Sequence, residues 1–136
     1  MNDTLPQRAV APVFELTEHD DVLMLKLRGE LGSLAWGLQL DGLEETVRIA
    51  LHGLPQARLV VDLSEVTYGG SEFVQFLFRL KKRLGAYGGQ AVLTGPRGHV
   101  AEVLQITKLD RLLQERSTLE EAFATVRAKA PPRTAV

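Results

Sequence analysis

Two kinds of apolar pattern alternate along the chain. Val22-Leu23-Met24-Leu25-Lys26-Leu27, Leu59-Val60-Val61-Asp62-Leu63 and Gln90-Ala91-Val92-Leu93-Thr94 are short apolar runs without helical period, and they predict buried strands. Between them apolar residues recur at spacings of three and four, the signature of amphipathic helices. Leu40, Leu43, Val47, Ala50, Leu51 and Leu54 form one such stripe, opposite Asp41, Glu44, Glu45 and Arg48. It predicts a helix from Leu34 to about Leu54, stopped by Gly53 and Pro55. Phe73, Phe76, Leu77, Leu80 and Leu84 form a second stripe, with Gly85 and Gly88-Gly89 at its end.

The remaining signals are shorter. Phe14 to Glu18 reads as a first edge strand that turns at His19-Asp20-Asp21. His99 to Thr107 reads as a short helix, and Leu112-Leu113-Gln114 as a short last strand. Ser117 with Glu120, and Thr118 with Glu121, both have capping-box spacing ahead of a helix bearing Leu119, Ala122, Phe123 and Val126. Strands alternating with helices imply an α/β domain with a mostly parallel sheet, and two strands before the first helix imply a mixed edge. The expectation is a four- to five-stranded mixed sheet with about four helices and Leu59 to Leu63 at its centre. Residues 14–127 form the domain, 1–13 with Pro6 and Pro12 a flexible N-terminal arm, and 128–136 with Pro131-Pro132 a disordered tail.

Composition narrows the function. The 136 residues carry a formal charge of -1, so a strongly basic nucleic-acid face is not the default reading. The chain has no cysteine, which excludes disulfides, thiolate catalysis and Cys-ligated zinc. No apolar run approaches the roughly 20 residues that span a bilayer, and the start of the chain has no signal-peptide pattern. A cytoplasmic protein is expected. His19, His52 and His99 lie on separate elements without ligand spacing, so no metal is expected. Asp62 at a strand end lacks the acidic pair that a magnesium-dependent phosphoaspartate needs, since Arg28-Gly29-Glu30 offers one carboxylate. No phosphate-cradling loop, Ser-His-Asp order or paired catalytic carboxylates occur, and no cofactor motif. A binding module is expected, not an enzyme.

The stretch Val66-Thr67-Tyr68-Gly69-Gly70-Ser71-Glu72-Phe73 joins the central strand to its helix. Ser71 is a favourable N-cap type, and a phosphate on its hydroxyl would meet the positive end of the helix dipole. Cap alone and phosphoacceptor both stand. At about 100° per residue, Ser71, Gln75, Phe78 and Lys82 fall opposite the apolar stripe, with Val74 flanking. A phenylalanine there is either a partner anchor or is packed under a neighbouring element. Trp36 is a second candidate anchor, or core. Lys81-Lys82-Arg83 with Arg79 reads as a solvated basic helix end.

In order and spacing, four segments resemble the STAS domain of bacterial anti-sigma-factor antagonists. They are Leu27-Arg28-Gly29-Glu30-Leu31, Leu59 through Thr67, Arg83-Leu84-Gly85-Ala86-Tyr87-Gly88-Gly89, and Ile106-Thr107-Lys108-Leu109-Asp110-Arg111-Leu112. The resemblance covers roughly Phe14 to Val126. It implies a STAS-like fold and binding of an anti-sigma factor with serine kinase activity, whose capture frees a sigma factor. It also implies phosphorylation at the start of the second helix, where the family's Asp-Ser-Ser-Gly reads Gly70-Ser71-Glu72-Phe73 here. Only the acceptor serine, Ser71, matches, and Gly32 replaces the acidic residue that often follows Gly-Glu-Leu. Taken together, the helix face, the motif positions and the loop near Trp36 give an expected partner-binding set of Gly32, Trp36, Gly70, Ser71, Glu72, Val74, Gln75, Phe78 and Lys82. The alternative is a non-phosphorylated scaffold or transporter-associated subunit in which Phe73 and Phe78 make a constitutive contact. A third reading, a pocket for a nucleotide or lipid, has no motif behind it. A homodimer stays open.

Overall fold

The apolar run around Leu59 lies in the middle of the sheet. The computed structural model describes residues 8–10, 14–31, 34–86 and 88–128. Its strands are β1 (Arg8–Val10), β2 (Phe14–His19), β3 (Val22–Leu31), β4 (Arg58–Gly69), β5 (Gln90–Thr94) and β6 (Glu115–Arg116). Its helices are α1 (Leu34–His52), α2 (Ser71–Ala86), α3 (Gly98–Ile106), α4 (Leu109–Leu112) and α5 (Leu119–Ala128). The strands lie side by side in chain order; β1, β2 and β3 pair antiparallel, and β3, β4, β5 and β6 pair parallel. The sheet is therefore mixed, with the antiparallel part at the start of the chain as the two early strands required.

The two faces of β4 go to two cores. Leu59, Val61 and Leu63 point into the larger core with Leu43, Val47, Phe73, Phe76, Leu77, Val100 and Leu104, so α1 to α4 cover that face. Val60 packs with Val22, Val92, Ala122 and Val126 under α5 on the opposite face. Burial on both faces is why β4 is apolar without alternation.

Three expectations are corrected. The segment 1–13 is not wholly an arm, because Arg8–Val10 pair with β2 as β1, and Phe14 to Glu18 is therefore not the sheet edge. Leu112-Leu113-Gln114 is not a strand. Leu109 and Leu113, four apart, both bury into the large core across the turn α4, and pairing with β5 is carried by Glu115–Arg116. The capping box belongs to Thr118 and not to Ser117 with Glu120. Thr118 Oγ1 accepts the Glu121 N–H at 3.1 Å, and the Glu121 carboxylate accepts the Ser117 N–H at 3.2 Å. The tail beyond Ala128 and Gly32 both lie outside the described residues.

Candidate functional site

The site is built where β4 outruns its neighbour. β5 pairs only with Arg58 to Asp62, so among the described residues Leu63 to Gly69 have β3 on one side and no strand on the other. The start of α3 closes that open edge. Arg97 Nη2 donates to the Ser64 carbonyl at 3.2 Å, and the Tyr68 and His99 rings stack, with centroids 4.9 Å apart and planes within 2°. Asp62 is buried, and its Oδ1 accepts the Ser64 N–H at 2.9 Å, so this carboxylate shapes the strand.

The turn into α2 depends on two glycines. A Cβ on Gly69 would lie 2.3 Å from Cδ2 of Phe73, so the ring packs directly on the Gly69 backbone. Gly70 donates its N–H to Leu31 at 3.3 Å, and its carbonyl accepts the Val74 N–H at 3.1 Å, the first bond of the helix. Gly70 is thus the N-cap, a position that glycine tolerates well. The expectation that Ser71 is the N-cap of α2 is corrected accordingly: Ser71 is the first helical residue, and the first helical bond runs from the Val74 N–H to the Gly70 carbonyl. Ser71 is exposed.

Helix periodicity sorted the faces of α2 correctly. Phe73, Phe76, Leu77, Leu80 and Leu84 are buried, whereas Ser71, Gln75, Phe78 and Lys82 are exposed and Val74 lies at the boundary, partly packed on the core. Phe78 keeps 41% of its surface in solvent. Phe73 is fully buried, so it cannot contribute to a surface contact as the alternative reading required. Glu72 sits on the flank of α2 towards α1, at intermediate exposure. Arg79 is not part of a solvated basic end, because its Nε bonds Glu44 of α1 at 2.6 Å, and Arg83 approaches the same carboxylate at 3.8 Å. Trp36 falls in α1, but its side chain lies outside the description.

A charged ladder runs over the outer face of β2, β3 and β4. Lys26 Nζ lies 2.8 Å from Glu65, Arg28 lies 3.5 Å from Glu65, and Arg28 Nη2 lies 3.0 Å from Glu15. The hydrogen bond from Lys26 holds the Glu65 carboxyl below its ordinary range, and the same bond raises the Lys26 ammonium. Glu30, the next outward residue of β3, pairs in register with Tyr68 and forms no ion pair among the described residues. Sequence reasoning missed Tyr68, His99 and Glu30. Two aromatic residues 31 apart in sequence carry no local signal of meeting.

Comparison with known proteins places this architecture. A family model described as Mlab, STAS domain, matches residues 14–115. The chain belongs to the STAS-domain family. Among solved structures it is similar to a protein of Thermotoga maritima described as a candidate anti-sigma factor antagonist, at 27% identity and a TM-score of 0.71, over 84% of this chain and 94% of that one. An anti-sigma factor antagonist of Mycobacterium paratuberculosis matches at 24% identity and a TM-score of 0.69, over 88% and 99%. The anti-sigma factor antagonist SpoIIAA in its unphosphorylated form matches at 22% and 0.68, over 86% and 98%. The STAS assignment and the mixed α/β sheet are therefore as the sequence implied. Among the described residues no helix is long and apolar enough to cross a membrane.

Proposed function

We propose that this protein is an anti-sigma-factor antagonist of the cytoplasm, which binds an anti-sigma factor through the outward face of α2 and the chain segment that follows β3. The observation that carries this reading is the array of Ser71, Gln75, Phe78 and Lys82, exposed together on one side of a helix whose other side is core. Phe78 is the hydrophobic anchor, and Gln75 and Lys82 form its polar rim. Val74, Gly70 and Glu72 extend this face, and Gly32 and Trp36 complete the proposed set from the sequence. No catalytic residue, cofactor or nucleic acid enters this account.

In the same reading Ser71 is the switch. A kinase partner transfers the γ-phosphoryl group of ATP to the Ser71 oxygen, with release of ADP and the hydroxyl proton. The product brings about -1.5 to -2 charges to the start of α2, where first-turn N–H groups can donate to its oxygens. Because the backbone of Gly70 already starts the helix, the modification leaves that start intact and acts on the partner interface. SpoIIAA, a structural relative, is known in both unphosphorylated and phosphorylated forms.

The test is direct. The serine-kinase-type anti-sigma factors of the same organism are incubated with this chain and ATP, and the product is mapped by mass spectrometry. One phosphate on Ser71, absent from Ser71→Ala, supports the switch. Phosphate elsewhere, or none with a kinase active on another substrate, rejects it. Glu72 and the buried Phe73 favour a second reading, since they put a carboxylate and a ring where the family motif has small residues. In it the protein is a non-phosphorylated scaffold or transporter-associated subunit, and Phe78 alone makes a constitutive contact.

A further inference from the structure

The outer face of the sheet is neutralised internally until its last rung. Lys26, Arg28, Glu15 and Glu65 satisfy one another. Glu30 follows them on the same face of β3, exposed and without an ion pair among the described residues. Its register partner across the parallel β3–β4 pair is Tyr68, just past the irregularity between Gly29 and Glu30, so the two residues are neighbours at this end of the sheet. Tyr68 is 42% exposed and lies flat against the exposed His99 ring, which fixes its plane. A carboxylate with no ion pair among the described residues is therefore the strand neighbour of a ring stacked on His99, and that ring lies three residues before Ser71 in the chain.

These two groups together select one chemistry. A carboxylate repels anions and resists burial by apolar groups. An aromatic face beside it attracts cations. A guanidinium satisfies both at once, because it is planar, stacks on rings and forks onto carboxylates, whereas an ammonium is a hydrated point charge. We propose that Glu30, Tyr68 and His99 form a receptor for an arginine side chain of a docked protein partner. This rests on the reading that the end of β4 and the start of α2 face a protein. It adds an electrostatic contact to the Phe78 anchor.

The test needs neither the partner nor a kinase. The full chain is titrated with Nα-acetyl-arginine amide and followed by NMR of its backbone amides and aromatic rings, with the lysine amide and the uncharged citrulline amide as controls. The expected result is saturable shifts centred on Glu30, Tyr68 and His99, weaker for lysine and absent for citrulline. Glu30→Gln should weaken arginine binding roughly fivefold, as expected for loss of one exposed ion pair. Tyr68→Leu should abolish the ring response, with the amide spectrum elsewhere reporting that the fold is kept. No saturable shift, equal response to citrulline, or shifts centred on the Glu15–Glu65 ladder would overturn the proposal. Phosphorylation at Ser71 is read independently, so failure here leaves that switch standing.

Discussion

Phe76 and Phe78 are two positions apart and belong to different environments. Phe76 is fully buried, and truncation of such a ring costs about 3–5 kcal/mol, while an exposed ring costs little. Phe76→Ala should therefore lower the denaturant midpoint sharply, and Phe78→Ala should stay within about 1 kcal/mol of the parent. If Phe78→Ala unfolds the domain as badly, the ring is core and the proposed anchor is lost. Gly69 is constrained from the other side. Gly69→Ala must displace the Phe73 ring and should cost about 1–3 kcal/mol. Partial rescue by Phe73→Leu would identify the ring as the cause; no rescue would point to the backbone instead. Glu115 gives a pH-dependent case. Desolvation of its carboxyl, with the Asp110 charge nearby, raises its pKa although the residue as a whole is exposed. The fold thus prefers the protonated form, so this group favours folding below the ordinary carboxylate range and loses that contribution as pH rises. Glu115→Gln should raise the melting temperature at pH 7 and change it little near pH 3. The opposite order would show that the carboxylate is stabilised where it stands.

At the scale of elements, β4 and α2 form one unit, joined by the Gly69-Gly70 turn and the Phe73 ring over it. Their apolar patterns were legible because each answers to one dominant force. β4 is buried on both faces and α2 on one, so period alone assigns strand and helix and picks Phe78 from Phe76. Elements held by local geometry or long-range pairing were not legible. β1 exists because its backbone adds to the β2 edge, and three residues next to prolines carry no period. The last strand was misread because Leu112-Leu113 looks equally apolar as strand or turn. Which neighbour buries Leu113 decides it, and that neighbour is distant in sequence. Ser71 as cap was a local inference overruled by Gly70, whose N–H is held by Leu31 from another strand. The cap of α5 is a purely local device and was found to within one residue. Thr118→Ala should cost about 1 kcal/mol, read as a small shift in the chemical-denaturation midpoint, while Ser117→Ala should cost much less. Equal losses would mean that the Thr118 hydroxyl is not the cap.

On the scale of the whole molecule, the sheet is asymmetric. One face is sealed by α1 to α4 and the other only partly by α5, beyond which the charged ladder runs to Glu30. Chemistry-bearing exposed residues gather at the end where β3 and β4 finish and α2 and α3 begin. Ser71, Phe78, Tyr68, His99 and Glu30 all belong to the elements meeting there. Such a distribution suits a protein whose fold is a rigid mount for one interaction surface, with the core packed directly behind it. In the proposed function the outward face of α2 binds an anti-sigma factor. The measurement that tests it most directly is the affinity of the unmodified chain for that partner, compared with Phe78→Ala and with the Ser71-phosphorylated protein. The account predicts that Phe78→Ala weakens binding by about 1–2 kcal/mol or more, roughly tenfold, with its fold intact, and that phosphorylation weakens it further. Unchanged affinity in both would contradict it.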